Sequence, residues 1–185
     1  MTMHRLILPL FLLAATAAQA ADYRAGPGST LGFSATYQDE AFAGKFATFT
    51  PQVRFDPANL AASRIDVSID LASASTDNAE RDEMLLGSEF FDAARAPTAR
   101  YLATSFRALG DNRFVAEGTL SLRGVSQAVP LTFTWTAGQA PVLAGEASLS
   151  RLAFNVGIGD WTDTELLPDQ VTVRTRLVLE PVATP

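Results

Sequence analysis

The chain has 185 residues, with 14 basic and 20 acidic side chains, one histidine and no cysteine. That inventory excludes disulfides, thiolate zinc sites and cysteine nucleophiles. Its acidic balance argues against a nucleic-acid partner.

The first 20 residues read as a secretory leader. Met1 to Arg5 is a short basic lead, Leu6 to Ala15 is an apolar run too short for a membrane span, and Ala18-Gln19-Ala20 is a small-residue cleavage site. Cleavage before Ala21 removes His4, the sole histidine, together with Arg5. The mature chain, 21–185, then has no Ser-His or Cys-His pair and no histidine for haem or zinc. Its length suits one domain with a sizeable core.

Beyond the Gly26-Pro27-Gly28 turn, Leu31, Phe33, Ala35 and Tyr37 alternate with small polar residues, the period of a half-buried strand. Gly44-Lys45-Phe46 opens a second strand with Phe49, Pro51, Val53 and Phe55 on one face, and a bend or bulge is expected at Pro51. Ile65, Val67, Ile69 and Leu71 form a third. The stretch from Ser73 to Gly87 predicts the single helix, capped by Thr76 or Asp77, with acids in its first turn and Gly87 at its end. Ser88 then caps a short turn carrying Phe90 and Phe91.

Five further strands follow: Tyr101 to Leu109, Phe114 to Leu122, Val129 to Trp135, Leu143 to Phe154, and Val171 to Leu179. Gly110-Asp111-Asn112 and Arg123-Gly124 are hairpin signals between them. Eight short strands at even spacing predict an all-β fold with one short helical crossover, an antiparallel barrel or sandwich. Strands of ~10 residues tilted by roughly 40° make a barrel about 25 Å tall, long enough for a chain-like guest.

Several stretches carry a resemblance: Gly44-Lys45-Phe46; Thr76-Asp77-Asn78 with Arg81-Asp82; Leu85 with Glu89-Phe90-Phe91-Asp92 and Pro97; and Gly118 through Val125. Together they resemble the YceI-like family of bacterial periplasmic lipid- and polyisoprenoid-binding proteins, across essentially the whole mature chain. The resemblance implies a lipocalin-like, extended eight-stranded antiparallel β-barrel and a periplasmic location. It also implies a lumen for a polyisoprenoid, a quinone tail or a fatty-acid derivative, with no catalytic cofactor. Homodimers are known in the family, so a homodimer is an expectation here. Met84, Ala96, Ser121 and Gln127 depart from it, standing where His, Tyr, Thr and Lys are common. The segments 150–157 and 159–165 resemble a subgroup associated with membrane b-type cytochromes, which adds a cytochrome partner as a second expectation.

The expected ligand-binding set is Phe33, Phe46, Phe55, Ile69, Leu85, Phe90, Phe91, Phe106, Leu120, Phe133, Trp135, Phe154 and Trp161, with Arg81 as the head-group contact. The alternative for the aromatic residues is a solid core. For Arg81 it is a local pair with a carboxylate. For Phe90 and Phe91, a helical turn lets at most one point straight into the core while the other touches ligand or closes the entrance, and the alternative is that both are buried beneath the crossover. Burying a tail of ten methylenes contributes about 8 kcal/mol before binding costs. Trp161, amid Asp160, Asp163 and Glu165, either covers one end of the barrel or docks a partner. A hydrolase would need a cavity holding a perturbed carboxylate, and nothing else in the sequence points to one.

Overall fold

Strand-period alternation dominates the chain, and its segments pair into one antiparallel sheet in the structure, a computed structural model that describes residues 21–182. The leader expected over residues 1–20 lies outside the described residues. β1 (Asp22–Ala25) and β2 (Thr30–Tyr37) are two halves of one strand, broken at Gly26–Ser29. A two-residue turn returns the chain as β3 (Glu40–Phe46) and β4 (Phe49–Arg54), paired with β2 and β1 respectively. β5 (Arg64–Asp70) runs along β4, and β6 (Ala74–Ser75) prolongs the same line along β3.

β7 (Thr98–Gly110), β8 (Arg113–Leu122), β9 (Val125–Thr136) and β10 (Val142–Ser150) follow as a meander. β11 (Gln170–Pro181) pairs with β10 on one side and with both β1 and β2 on the other. That last pairing closes an eight-stranded barrel, so no long edge is left to template aggregation.

The inward faces are the predicted ones. Phe114, Ala116, Leu120 and Leu122 on β8, and Val129, Leu131, Phe133 and Trp135 on β9, are all buried. On the outer face Arg64, Arg100 and Asp66 form a surface cluster, with both arginines bonded to Asp66 Oδ2, at 2.7 and 2.6 Å. Two glycines let aromatic rings lie flat on the inner wall. A Cβ on Gly118 would stand 2.1 Å from the Tyr101 ring, and one on Gly44 would stand 2.2 Å from the Phe33 ring. Both glycines of the motif stretches therefore stay bare because a cross-strand aromatic covers them.

Four sequence expectations change. Pro51 sits in unbroken register with Val67, so the strand does not bulge there. Its break falls instead at Ala47–Thr48, where the Ala47 N–H turns to the Ser73 carbonyl. β3 begins at Glu40, because Gln38 and Asp39 both adopt positive φ and make a tight hairpin turn. The strand expected to reach Phe154 ends at Ser150, and Phe154 lies in a 3-10 turn (Leu152–Phe154) that closes on the left-handed residue Asn155.

The helix α1 (Ala79–Leu86) is capped by neither Thr76 nor Asp77. The Asn78 side-chain oxygen accepts from the Arg81 N–H at 3.0 Å. Asp77 holds a positive φ, and Thr76 is engaged by Asp82. Glu80 and Asp82 occupy the first turn, and Gly87 ends the helix.

Candidate functional site

The barrel interior divides into a plugged end and an open end. At the end far from the crossover, Phe55 packs against Phe114 and Trp135 (centroids 4.9 Å), Phe133 (5.1 Å) and Phe106 (5.7 Å). Tyr23 joins at 6.0 Å from Trp135. The geometries are mostly edge-on or tilted, as ring quadrupoles favour. Phe55, Phe106, Phe133 and Trp135, four of the expected ligand contacts, therefore form a stopper and do not line the cavity. Phe154 does not line it either; it is buried at 1% exposure beneath its 3-10 turn.

Above the stopper lies an apolar cavity of ≈ 180 Å³. Voids of ~150 Å³ lined by aliphatic and aromatic side chains stay dry and accept benzene, so this one is of ligand size. Phe33, Phe46, Ile69, Leu85, Phe90, Phe91 and Leu120 all face it, half of the expected set. Phe33 and Phe46 keep partial exposure although they point inward, because they border empty space. Both Phe90 and Phe91 are buried, at 6% and 8% exposure, and both reach the cavity. Both rings are buried, the alternative the sequence left open, because the segment is a tight turn and not a helix. The Phe91 N–H returns to Leu85 O and the Phe90 N–H to Gly87 O, which splays the two rings. Phe91 then meets Phe33 and Phe46, while Phe90 meets Trp161 at 5.3 Å.

A second hollow of ≈ 240 Å³ lies outside the first, between α1, the β2–β3 hairpin and the loop bearing Trp161. Phe42, Leu85, Phe90 and Leu167 line both spaces, so they form the partition between lumen and vestibule. Trp161 and Arg81 line only the vestibule. Trp161 covers it, resting on Phe90 and on Tyr37 (5.9 Å).

Arg81 does not pair with Asp82. Its Nε donates to Thr76 Oγ1 at 2.9 Å, and its guanidinium lies 4.6 Å over the Phe42 ring. Asp82 instead accepts from the Thr76 hydroxyl and N–H, both at 2.6 Å, and from Ser75 Oγ at 2.9 Å. Those bonds, the Thr76 hydroxyl first, hold its carboxyl below the usual range.

A family model described as the YceI-like domain matches residues 25–179. The chain belongs to that family. A UPF0312 protein of Vibrio vulnificus is 31% identical over 173 residues, covering 86% of this chain and 92% of the relative. A UPF0312 protein of Azotobacter vinelandii is 33% identical over 132 residues, 69% of each chain. Among solved structures, Burkholderia cenocepacia BcnA superposes with a TM-score of 0.78 at 29% identity, covering 80% of this chain and 94% of its own. A polyisoprenoid binding domain from Saccharophagus degradans, implicated in plant cell wall breakdown, gives 0.67 at 16% identity, covering 89% and 100%. At that identity the likeness is one of fold.

Sequence reasoning about this YceI-like chain missed three features of the mouth. Phe42 belongs to the partition, and its alternation with Gly44 and Phe46 was a usable signal. Arg123, in the family-like turn, donates to the carbonyls of Ser88 (2.8 Å) and Phe90 (2.6 Å), and to that of Asn155, fastening the crossover to the late loop. Arg151 lies in the 150–157 stretch, but nothing in that stretch assigns it a role. It is 2% exposed, and all five of its N–H bonds reach carbonyls: Val156, Gly157, Trp161, Leu167 and Pro168. Burial lowers its pKa, opposed by nearby Asp169. That carbonyl cage folds the chain between β10 and β11 back over the mouth, which is why the strand stops at Ser150.

Asp163 and Glu165, the carboxylates weighed for hydrolysis, are exposed, and Asp163 Oδ1 caps the Glu165 N–H at 2.8 Å. Among the described residues, no three His, Cys, Asp or Glu side chains converge as metal ligands would. The cavity wall offers Tyr101, Thr175 and Arg151 as its non-aliphatic, non-phenyl members. Tyr101 donates to the Ala116 carbonyl at 3.2 Å, and Arg151 is fully engaged. The wall of the lumen is therefore almost wholly apolar.

Proposed function

We propose that this protein is an exported, non-catalytic carrier in the periplasm that holds one long hydrophobic chain, a polyisoprenoid, quinone tail or fatty-acid derivative, in its barrel. The observation that carries the reading is the apolar cavity of ≈ 180 Å³, stoppered below by the Phe55 cluster and adjoining the vestibule near the crossover across Phe42, Leu85, Phe90 and Leu167. Binding is burial: each methylene moved out of water contributes about 0.8 kcal/mol. The fold neighbour that is a polyisoprenoid binding domain, and membership in the YceI-like family, support the same reading.

The test is mass spectrometry on an organic extract of protein purified from its native host. A stoichiometric long-chain lipid is expected, and Ala147→Phe, which fills the lumen wall, abolishes it. A lipid-free preparation that also binds no added chain overturns the carrier. Cell fractionation and N-terminal sequencing check export; the mature chain is expected to begin at Ala21.

A second reading, a contact with a membrane b-type cytochrome through the loop around Trp161, draws on the exposed Asp160, Asp163 and Glu165. Trp161 itself is occupied by Phe90, Tyr37 and Glu89, which favours its covering role. A pull-down abolished by Asp160→Asn with Asp163→Asn, but not by filling the lumen, would separate the two readings.

A further inference from the structure

We propose that Arg81 anchors the head of the bound amphiphile in the vestibule, and that the head it takes is a single carboxylate. The inference rests on the carrier reading above and names the class of ligand within it. Three observations lead to it. First, the vestibule adjoins the lumen across the four shared residues, so a chain lying in the lumen presents its head there. Second, Arg81 is the sole cation lining that hollow, and it is preset: Nε is held by Thr76, Thr76 by Asp82, and the guanidinium face by Phe42. Among the described residues no protein group takes Nη1 or Nη2. Those two terminal groups form the end-on fork that matches both oxygens of a carboxylate.

Third, the carboxylate of Glu80 shares the vestibule wall and forms no ion pair among the described residues. One cation beside one anion accommodates a single negative charge on the guanidinium. A diphosphate brings more charge than Arg81 neutralises and sets the excess against Glu80. Asn78 and Tyr37, the remaining polar members of the wall, are neutral hydrogen-bonding groups.

The experiment is calorimetric titration of the delipidated protein with hexadecanoic acid, hexadecanol and farnesyl diphosphate. The acid is expected to bind about tenfold more tightly than the alcohol, a difference of about 1.4 kcal/mol. Arg81→Gln is expected to erase that preference, so that acid and alcohol bind the variant with equal affinity. Because Arg81→Gln also removes a bond to Thr76, Glu80→Gln supplies an independent arm; it is expected to strengthen farnesyl diphosphate binding several-fold. Equal affinity of the native protein for acid and alcohol, or an acid preference that survives Arg81→Gln, overturns the head-group assignment and leaves the lumen reading intact. Failure of all three probes to bind overturns both.

Discussion

The indole N–H of Trp161 donates to the Glu89 carboxylate at 3.0 Å, across 72 positions of sequence. The Glu89 carbonyl meanwhile accepts from the N–H groups of Gly157 (2.7 Å) and Ile158 (3.1 Å). One residue of the crossover thus fixes both backbone and side chain of the loop that covers the mouth. Trp161→Ala removes the cover without touching the barrel wall. We expect a fluorescent fatty acid to leave the variant about tenfold faster in stopped-flow transfer to vesicles, with Tm lowered by only a few degrees. An unchanged release rate would show that the cover does not control exchange.

Arg151 is buried with every N–H engaged. Lysine offers three donors where arginine offers five, so Arg151→Lys strands at least two of the five carbonyls. The expected loss is about 3 kcal/mol in urea unfolding. Hydrogen exchange should rise first in residues 151–169, which the cage organises.

Acid weakens the outer wall through Asp66. Its hydrogen bond from Arg100, and secondarily that from Arg64, holds its pKa at about 2, below the ordinary 3.8. A carboxylate depressed on folding stabilises the native state above its unfolded pKa, and the contribution fades as pH falls from about 4 toward 2. Because both arginines are half exposed, the contribution is discounted to about 1 kcal/mol. The Tm gap between native protein and Asp66→Asn should be constant above pH 5 and close near pH 2.

Gly118 and Tyr101 are coupled by contact. Gly118→Ala places a methyl group into the Tyr101 ring, which must swing toward the cavity. The expected cost is about 1–3 kcal/mol, with weaker chain binding. In a double-mutant cycle Tyr101→Leu should relieve much of that penalty, whereas additive losses would deny the contact.

The strands were legible because one face of each had to be apolar, and alternation in Val129–Trp135 or Ile65–Leu71 states which face. What alternation does not state is height along the axis. Phe46 and Phe55 obey the same pattern, yet one borders open space and the other sits in the stopper, since cross-strand register decides which rings meet. The late loop was misread for a related reason. Leu152 and Phe154 are apolar but fall out of step with Leu143, Ala147 and Leu149 on the inward face of β10, and the five carbonyls gathered by the neighbouring Arg151 guanidinium turn the chain into a 3-10 segment there. For Phe90 and Phe91 the sequence leaves two arrangements open, because adjacent aromatic residues have no period that tells a helical turn from one that spreads its rings.

The aromatic stopper makes the barrel a blind alley. A guest that backs in tail-first must reverse out of the same door, so loading and delivery share one doorway and cannot proceed at the same time. On the carrier reading proposed above, whatever donates the chain and whatever receives it therefore take turns at the Trp161 end of the molecule.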